Sequence, residues 1–426
     1  MALQAPANAR TRSRGGAAAL APATRRTDAY RLARGLILVL LATAVDAWNY
    51  LDRGGSARYL LLLAPVAALV IIRLQHPSTL IRRPIGPDRV LLLLLLIGLP
   101  GAIFGILFRG TPATTLPVFA PMVVAFLYLG ALEEPTDGEA RRILRAVEWV
   151  GILYITLAAA VTAGLLPGVE FRQFRNASLV FVALGIASTV TLRHWVRALY
   201  MVALWGLVFV FYPSATSVLI ALTIAFTLLM MPLRPSRARP SRLRPYLLAI
   251  IGASAVILAV LNMSTGVEVT GDYFALVGKA NANSGRLAVW SEGIDRFQES
   301  PLFGEVFSGS TVTTAVREGS SSEFQLPYHN DYIHFLANGG LIGLGLLLLW
   351  IAVTEVLVLR SYTALLATEE TSRALLLRVL LVGYNVFFVT AAFNPTLMGL
   401  SRAASIFSIY ALMMMTLRHR SAVVTW

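Results

Sequence analysis

His329 is the residue in this chain best placed for proton chemistry near neutral pH. It stands in the run Pro327, Tyr328, His329, Asn330, Asp331, Tyr332, where a polar loop gives way to a long apolar stretch. A histidine at such a boundary exchanges protons with water while a neighbour fixes its second ring nitrogen, as a general base requires. The same position suits a histidine that only anchors the start of a helix. His334, close by, suggests a zinc pair, but the two histidines are five residues apart. Two ligands on one helical face are separated by three or four residues, and neither a thiol nor a third histidine lies nearby.

Arginines supply the second kind of chemistry. Arg172, Arg175 and Arg286 lie in loops on the same predicted side as His329. A guanidinium fork fits phosphate or pyrophosphate, so the three beside a candidate base form a possible anion site. Taken singly, each also suits contact with lipid headgroups by snorkelling. Gly339, Gly340, Gly343 and Gly345 follow the histidine, and their small-xxx-small spacing reads as close helix packing that holds the span carrying His329.

The elements that must position these residues are membrane helices. Of the 426 residues, 57% are hydrophobic and 14% charged, with a mean hydropathy of +0.70, too little polar surface to cover a water-soluble globule. Twelve spans are expected, near 36–50, 58–72, 90–108, 113–132, 146–166, 177–192, 198–212, 215–231, 246–263, 333–359, 376–393 and 403–417. The net charge of +14 is almost all arginine, Lys279 being the only lysine. These arginines cluster in alternate connections and not on one basic face, which argues against nucleic acid and places both termini in the cytoplasm. The absence of cysteine excludes thiol catalysis and disulfides.

Residues 1–35 read as a disordered basic cytoplasmic tail, 36–263 as the first nine spans, 264–332 as one large outside loop, 333–417 as the last three spans and 418–426 as a second cytoplasmic tail. Within the loop, Leu287, Trp290, Ile294 and Phe297 recur at helical spacing, predicting an amphipathic helix over 285–298, and the Ser, Thr and Gly-rich stretch 308–322 reads as mobile.

The segment His329, Asn330, Asp331, Tyr332, with Gly339, Gly340 and Gly343 opening an apolar helix, resembles the signature of the bacterial O-antigen ligase and O-antigen polymerase superfamily. Arg286, Trp290, Gly293, Phe297, Pro301 and Gly304 resemble the stretch that leads to that family's histidine. One departure is that Ser214, Ala215, Thr216, Ser217 lack the arginine of a Ser-Arg pair often found entering a middle span.

The resemblance, closest to the ligase, implies an all-α polytopic membrane protein, type C glycosyltransferase-like, in the bacterial inner membrane, with its active site in a periplasmic loop. It implies a glycosyltransferase of lipopolysaccharide biosynthesis. The enzyme would move a polysaccharide from undecaprenyl pyrophosphate to lipid A-core with inversion, using no metal and no cofactor. His329 would be the base and Arg286, with Arg172 or Arg175, would hold the pyrophosphate. Asn330, Tyr332 and Trp290 would be supporting substrate contacts. The alternative in the same class is a polymerase of O-antigen or exopolysaccharide. A transporter or flippase of anionic polysaccharide-lipid is a third reading, against which stand the few ionisable residues within spans and the lack of a repeated half.

Overall fold

The computed structural model describes residues 23–46, 59–75, 86–109, 116–131, 134–166, 169, 179–211, 215–231, 286–308, 312–316, 323–328, 330–368, 370–392, 397 and 399–417. The expected ninth span, Lys279, the loop up to 285, both distal tails, Arg172, Arg175 and His329 lie outside them. The described elements are α1 (Ala23–Val45), α2 (Leu60–Gln75), α3 (Gly86–Phe108), α4 (Leu116–Ala131), α5 (Asp137–Thr162), α6 (Leu179–Thr191), α7 (Trp195–Phe211) and α8 (Ala215–Met230). Then come α9 (Arg286–Glu299), β1 (Val312–Val316), β2 (Glu323–Pro327), α10 (Asp331–Ala367), α11 (Thr371–Ala391) and α12 (Leu400–Leu417).

Five of these helices, α3, α5, α10, α11 and α12, are long and apolar enough to cross a bilayer, and five shorter apolar helices accompany them. The chain is a multi-pass membrane protein. α11 and α12 are buried on nearly all faces, as helices apolar all round should be. α11 packs against α5, α6, α8, α10 and α12, while α12 also packs on α1 and α4. Outward-facing Leu93, Leu96, Ile103, Leu107 and Phe108 of α3 remain exposed, a pattern that water would penalise and lipid does not.

Two expectations are corrected. The first described helix begins at Ala23 and not after residue 35, and Leu32, Ala33 and Leu36 are buried where α1 packs on α2, α5 and α12. The stretch read as mobile contains β1, paired antiparallel with β2 from Val312 opposite Pro327 to Val316 opposite Glu323, so among the described residues the fold is helical except for this hairpin. Val312, Thr313 and Thr314 favour extended backbone, and pairing with β2 satisfies the amides that point toward it.

Polar ties lock the end of the bundle opposite the hairpin. Asp137 accepts from the backbone N–H of Ser372 at 2.7 Å and of Arg373 at 3.3 Å, capping α11 from a neighbouring helix. Arg373 pairs with Glu134 and Glu370 and donates to the carbonyl of Thr416, while Arg378 donates to Thr191 Oγ1 and to the carbonyl of Leu228. Buried Glu148 accepts from Arg197 and lies 2.8 Å from His194. The chain leaves α8 at this end, where the Tyr362 hydroxyl donates to the carbonyl of Met231, and re-enters the described structure in α9 at the other end.

Candidate active site

The site is organised around a break in α10. At Gly340 the backbone takes φ 60°, ψ −160°, outside helical values. The amides this frees do not stay bare, because Leu341 N–H donates to the carbonyl of Pro301 at 2.9 Å and Ile342 N–H to that of Leu302 at 3.1 Å. Phe307 N–H donates to the carbonyl of Asn338 at 2.7 Å, closing the turn onto the helix from the other side. Residues 301–307 therefore act as a plug that completes the helix ladder where lipid offers no substitute partner.

The two glycines at this junction are required by geometry. Gly340 and Gly304 both have positive φ, and a Cβ on Gly340 would lie 2.4 Å from Leu302 backbone atoms, one on Gly304 2.6 Å from the carbonyl oxygen of Ala337. Gly339 and Gly343, expected to face another membrane helix, instead face the ring of Phe307, whose edge packs on Phe119 and Phe335 at 5.5 Å each.

Above the break, the start of α10 is pinned on every side. Asn330 is buried and its Oδ1 accepts from the N–H groups of Tyr332 and Ile333, a helix cap. Asp331 Oδ2 accepts from Leu397 N–H at 2.7 Å, tying the segment before α12 to the same turn. Tyr332 donates its hydroxyl to the carbonyl of Phe388, and Trp290 of α9 donates its indole N–H to the carbonyl of Tyr328 at 2.6 Å. The carbonyl of Tyr328 and the capped helix start at Asn330 are thus both held by side chains.

Asn330, Tyr332 and Trp290, expected as supporting substrate contacts, each bond backbone groups and position their neighbours. Arg286 opens α9 as expected, and only its backbone is described, while Arg172, Arg175 and His329 fall outside the described residues. His334 is fully buried, its Nδ1 3.2 Å from the side-chain nitrogen of Asn338. That places it in the packing beneath the loop, with its ring against Tyr328 and Phe335.

A polar cluster that sequence reasoning missed flanks the same turn. Arg296 of α9 binds Glu292 at 2.6 Å and faces Glu305 at 3.9 Å. Burial opposes its charge, but Tyr328 and the carboxylates of Glu292 and Glu305 hold its pKa above the ordinary value. Burial pushes the Tyr328 hydroxyl up to about 12, with Arg296 drawing it down and the two glutamates adding to the rise. The Glu292 to Arg296 spacing of four on a predicted helix was the available signal.

The deciding comparison falls on this region. Residues 199–348 match the O-antigen ligase family. The matched segment runs from within α7 through the plug and the break in α10, and it supports the superfamily that the motifs resemble. The O-antigen ligase family points to a membrane enzyme of glycan transfer with lipid-linked glycan substrates. No curated protein matches the chain.

Proposed function

We propose that this protein is an O-antigen ligase that transfers polysaccharide from undecaprenyl pyrophosphate to lipid A-core. His329 takes the proton from the acceptor hydroxyl, which attacks the anomeric carbon with inversion as the carbon–pyrophosphate bond breaks. Arg286 receives the growing charge on the leaving pyrophosphate, with Arg172 or Arg175 as the second cation, since fixed cations stabilise charge as it develops. The reading rests on one observation: the O-antigen ligase match spans a histidine whose two chain neighbours are immobilised, Tyr328 by its carbonyl and Asn330 as the cap of α10.

The arginine distribution supports an inner-membrane topology with both termini cytoplasmic and the loop periplasmic. The decisive experiment is deletion of the gene. Lipopolysaccharide should lose its long-chain ladder while lipid-linked polymer accumulates, and a normal ladder rejects the proposal. The polymerase of the same superfamily would instead leave a single repeat on the core. In purified form, wild-type protein should transfer glycan in detergent and His329→Ala should not.

A further inference from the structure

A slot of about 370 Å³ lies between the C-terminal third of α3 and the plug, within the size range of about 300–1,000 Å³ typical of ligand sites. Its floor is Pro100 and Gly101 and its rim is Arg109, nine residues or roughly 13 Å further along the helix. Gly101 permits the close approach of the plug, because a Cβ there would sit 1.6 Å from the carbonyl oxygen of Val306. Phe104 walls the slot on its outer side and is half exposed, as are the neighbouring Phe303 and Leu341, so the slot opens sideways toward lipid.

The lining changes character with height. Pro100, Phe104 and Val306 make the deep part apolar, while Arg109, Glu305 and Ser308 make the rim polar. Arg109 is exposed and has no carboxylate partner among the described residues. The inner wall joins the polar cluster of the candidate active site through Glu305, where one Glu305 carboxylate oxygen and the Tyr328 hydroxyl are buried with no hydrogen-bond partner among the described residues. Glu305 faces Arg296, whose charge acts on Tyr328, the residue before His329.

The geometry points to this slot as the seat of the acceptor's lipid anchor, a phosphate-bearing glycolipid with its hydrocarbon between Phe104 and Val306 and its anionic head at Arg109. This rests on the glycan-transfer reading above. An inverting displacement brings the nucleophile in opposite the leaving group. Arg286, assigned to the leaving pyrophosphate, opens α9, whereas Arg296 and Glu305 mark its far end, about 15 Å away at ten residues' rise. Trp290, between them, holds the carbonyl before position 329. An acceptor seated in the slot therefore lies toward the Arg296 end of α9, the end away from Arg286. Its sugar hydroxyls would also lie beside Glu305, which lines the slot.

Two measurements on the full chain in nanodiscs test the assignment. A phosphorylated disaccharide glycolipid carrying a diazirine on an acyl chain should label residues 100–109 and 304–308. Unlabelled glycolipid should compete, and excess phosphatidylglycerol should not. Labelling that phosphatidylglycerol competes equally, or none in these segments, overturns the proposal in favour of ordinary lipid contact. In glycan transfer, Arg109→Ala and Ser308→Trp should each raise KM for the acceptor about tenfold with kcat and donor KM kept. A rise in donor KM alone assigns the slot to the carrier lipid, and unchanged constants also refute it. Wild-type protein that labels as expected but transfers no glycan would sink the ligase reading and leave the lipid site standing.

Discussion

Replacing Trp290 by Phe separates the positioning role of the indole from its packing role. The substitution keeps an aromatic ring in a buried position and removes one hydrogen bond, the 2.6 Å donation to the carbonyl of Tyr328. That carbonyl is buried, so its loss of a partner costs about 1–3 kcal/mol of stability, to which the smaller ring adds about 1 kcal/mol. The carbonyl belongs to the peptide bond that leads into His329. A shift of the base by about 1 Å lowers transfer on the order of a hundredfold, so kcat should fall between about tenfold and a hundredfold with both KM values nearly kept. The assay is transfer from the lipid-linked donor at saturating acceptor, read beside thermal unfolding of the same preparation. A protein that melts earlier but turns over at the wild-type rate would refute the claim that this bond positions the base.

Four other outcomes follow from the same geometry. Gly340→Ala, forced to positive φ with its Cβ against Leu302, should abolish folding by thermal unfolding and expression, whereas Gly345→Ala, with open space around its Cβ, should be neutral or gain up to about 1 kcal/mol. Asn330→Ala should lose about 0.5–2 kcal/mol by removing the cap of α10, and Asn330→Asp, which keeps the acceptor, should retain most of it on the same measurement. Tyr328 has its pKa raised by burial from 10.0 to about 12, so it favours folding below pH 10 and that contribution, about 3 kcal/mol, is lost as pH climbs through 10 to 12. Tyr328→Phe should flatten this alkaline loss in a pH-dependent unfolding series. Glu305→Gln should change stability by less than about 1 kcal/mol, since the facing Arg296 keeps Glu292 and the pair is part exposed.

Much of the bundle was legible because hydrophobic runs declare spans directly. The stretches near 90–108, 215–231 and 403–417 match α3, α8 and α12 within a few residues. The amphipathic spacing of Leu287, Trp290, Ile294 and Phe297 likewise gave α9. What pattern could not give was the origin of long-range ties. Nothing in the sequence near Asp137 says that it caps α11, more than two hundred residues later. Arg373 and Arg378 stand at the edge of the expected span 376–393, yet both are buried in α11 and serve carbonyls and hydroxyls of other helices. The glycines after His329 looked like a helix-packing pattern because φ is invisible in a sequence. Their use is a break filled by the preceding turn.

That break has a consequence for how the molecule is built. A membrane helix normally supplies all its own backbone partners, but α10 takes two of them from carbonyls at residues 301 and 302. Those carbonyls come earlier in the chain, so a ribosome working from the N-terminus has made them before the helix that needs them emerges. Excising the segment from α9 to the plug would leave the Leu341 and Ile342 amides facing hydrocarbon, at several kcal/mol each. The extramembrane segment is in this sense a structural part of the span it precedes.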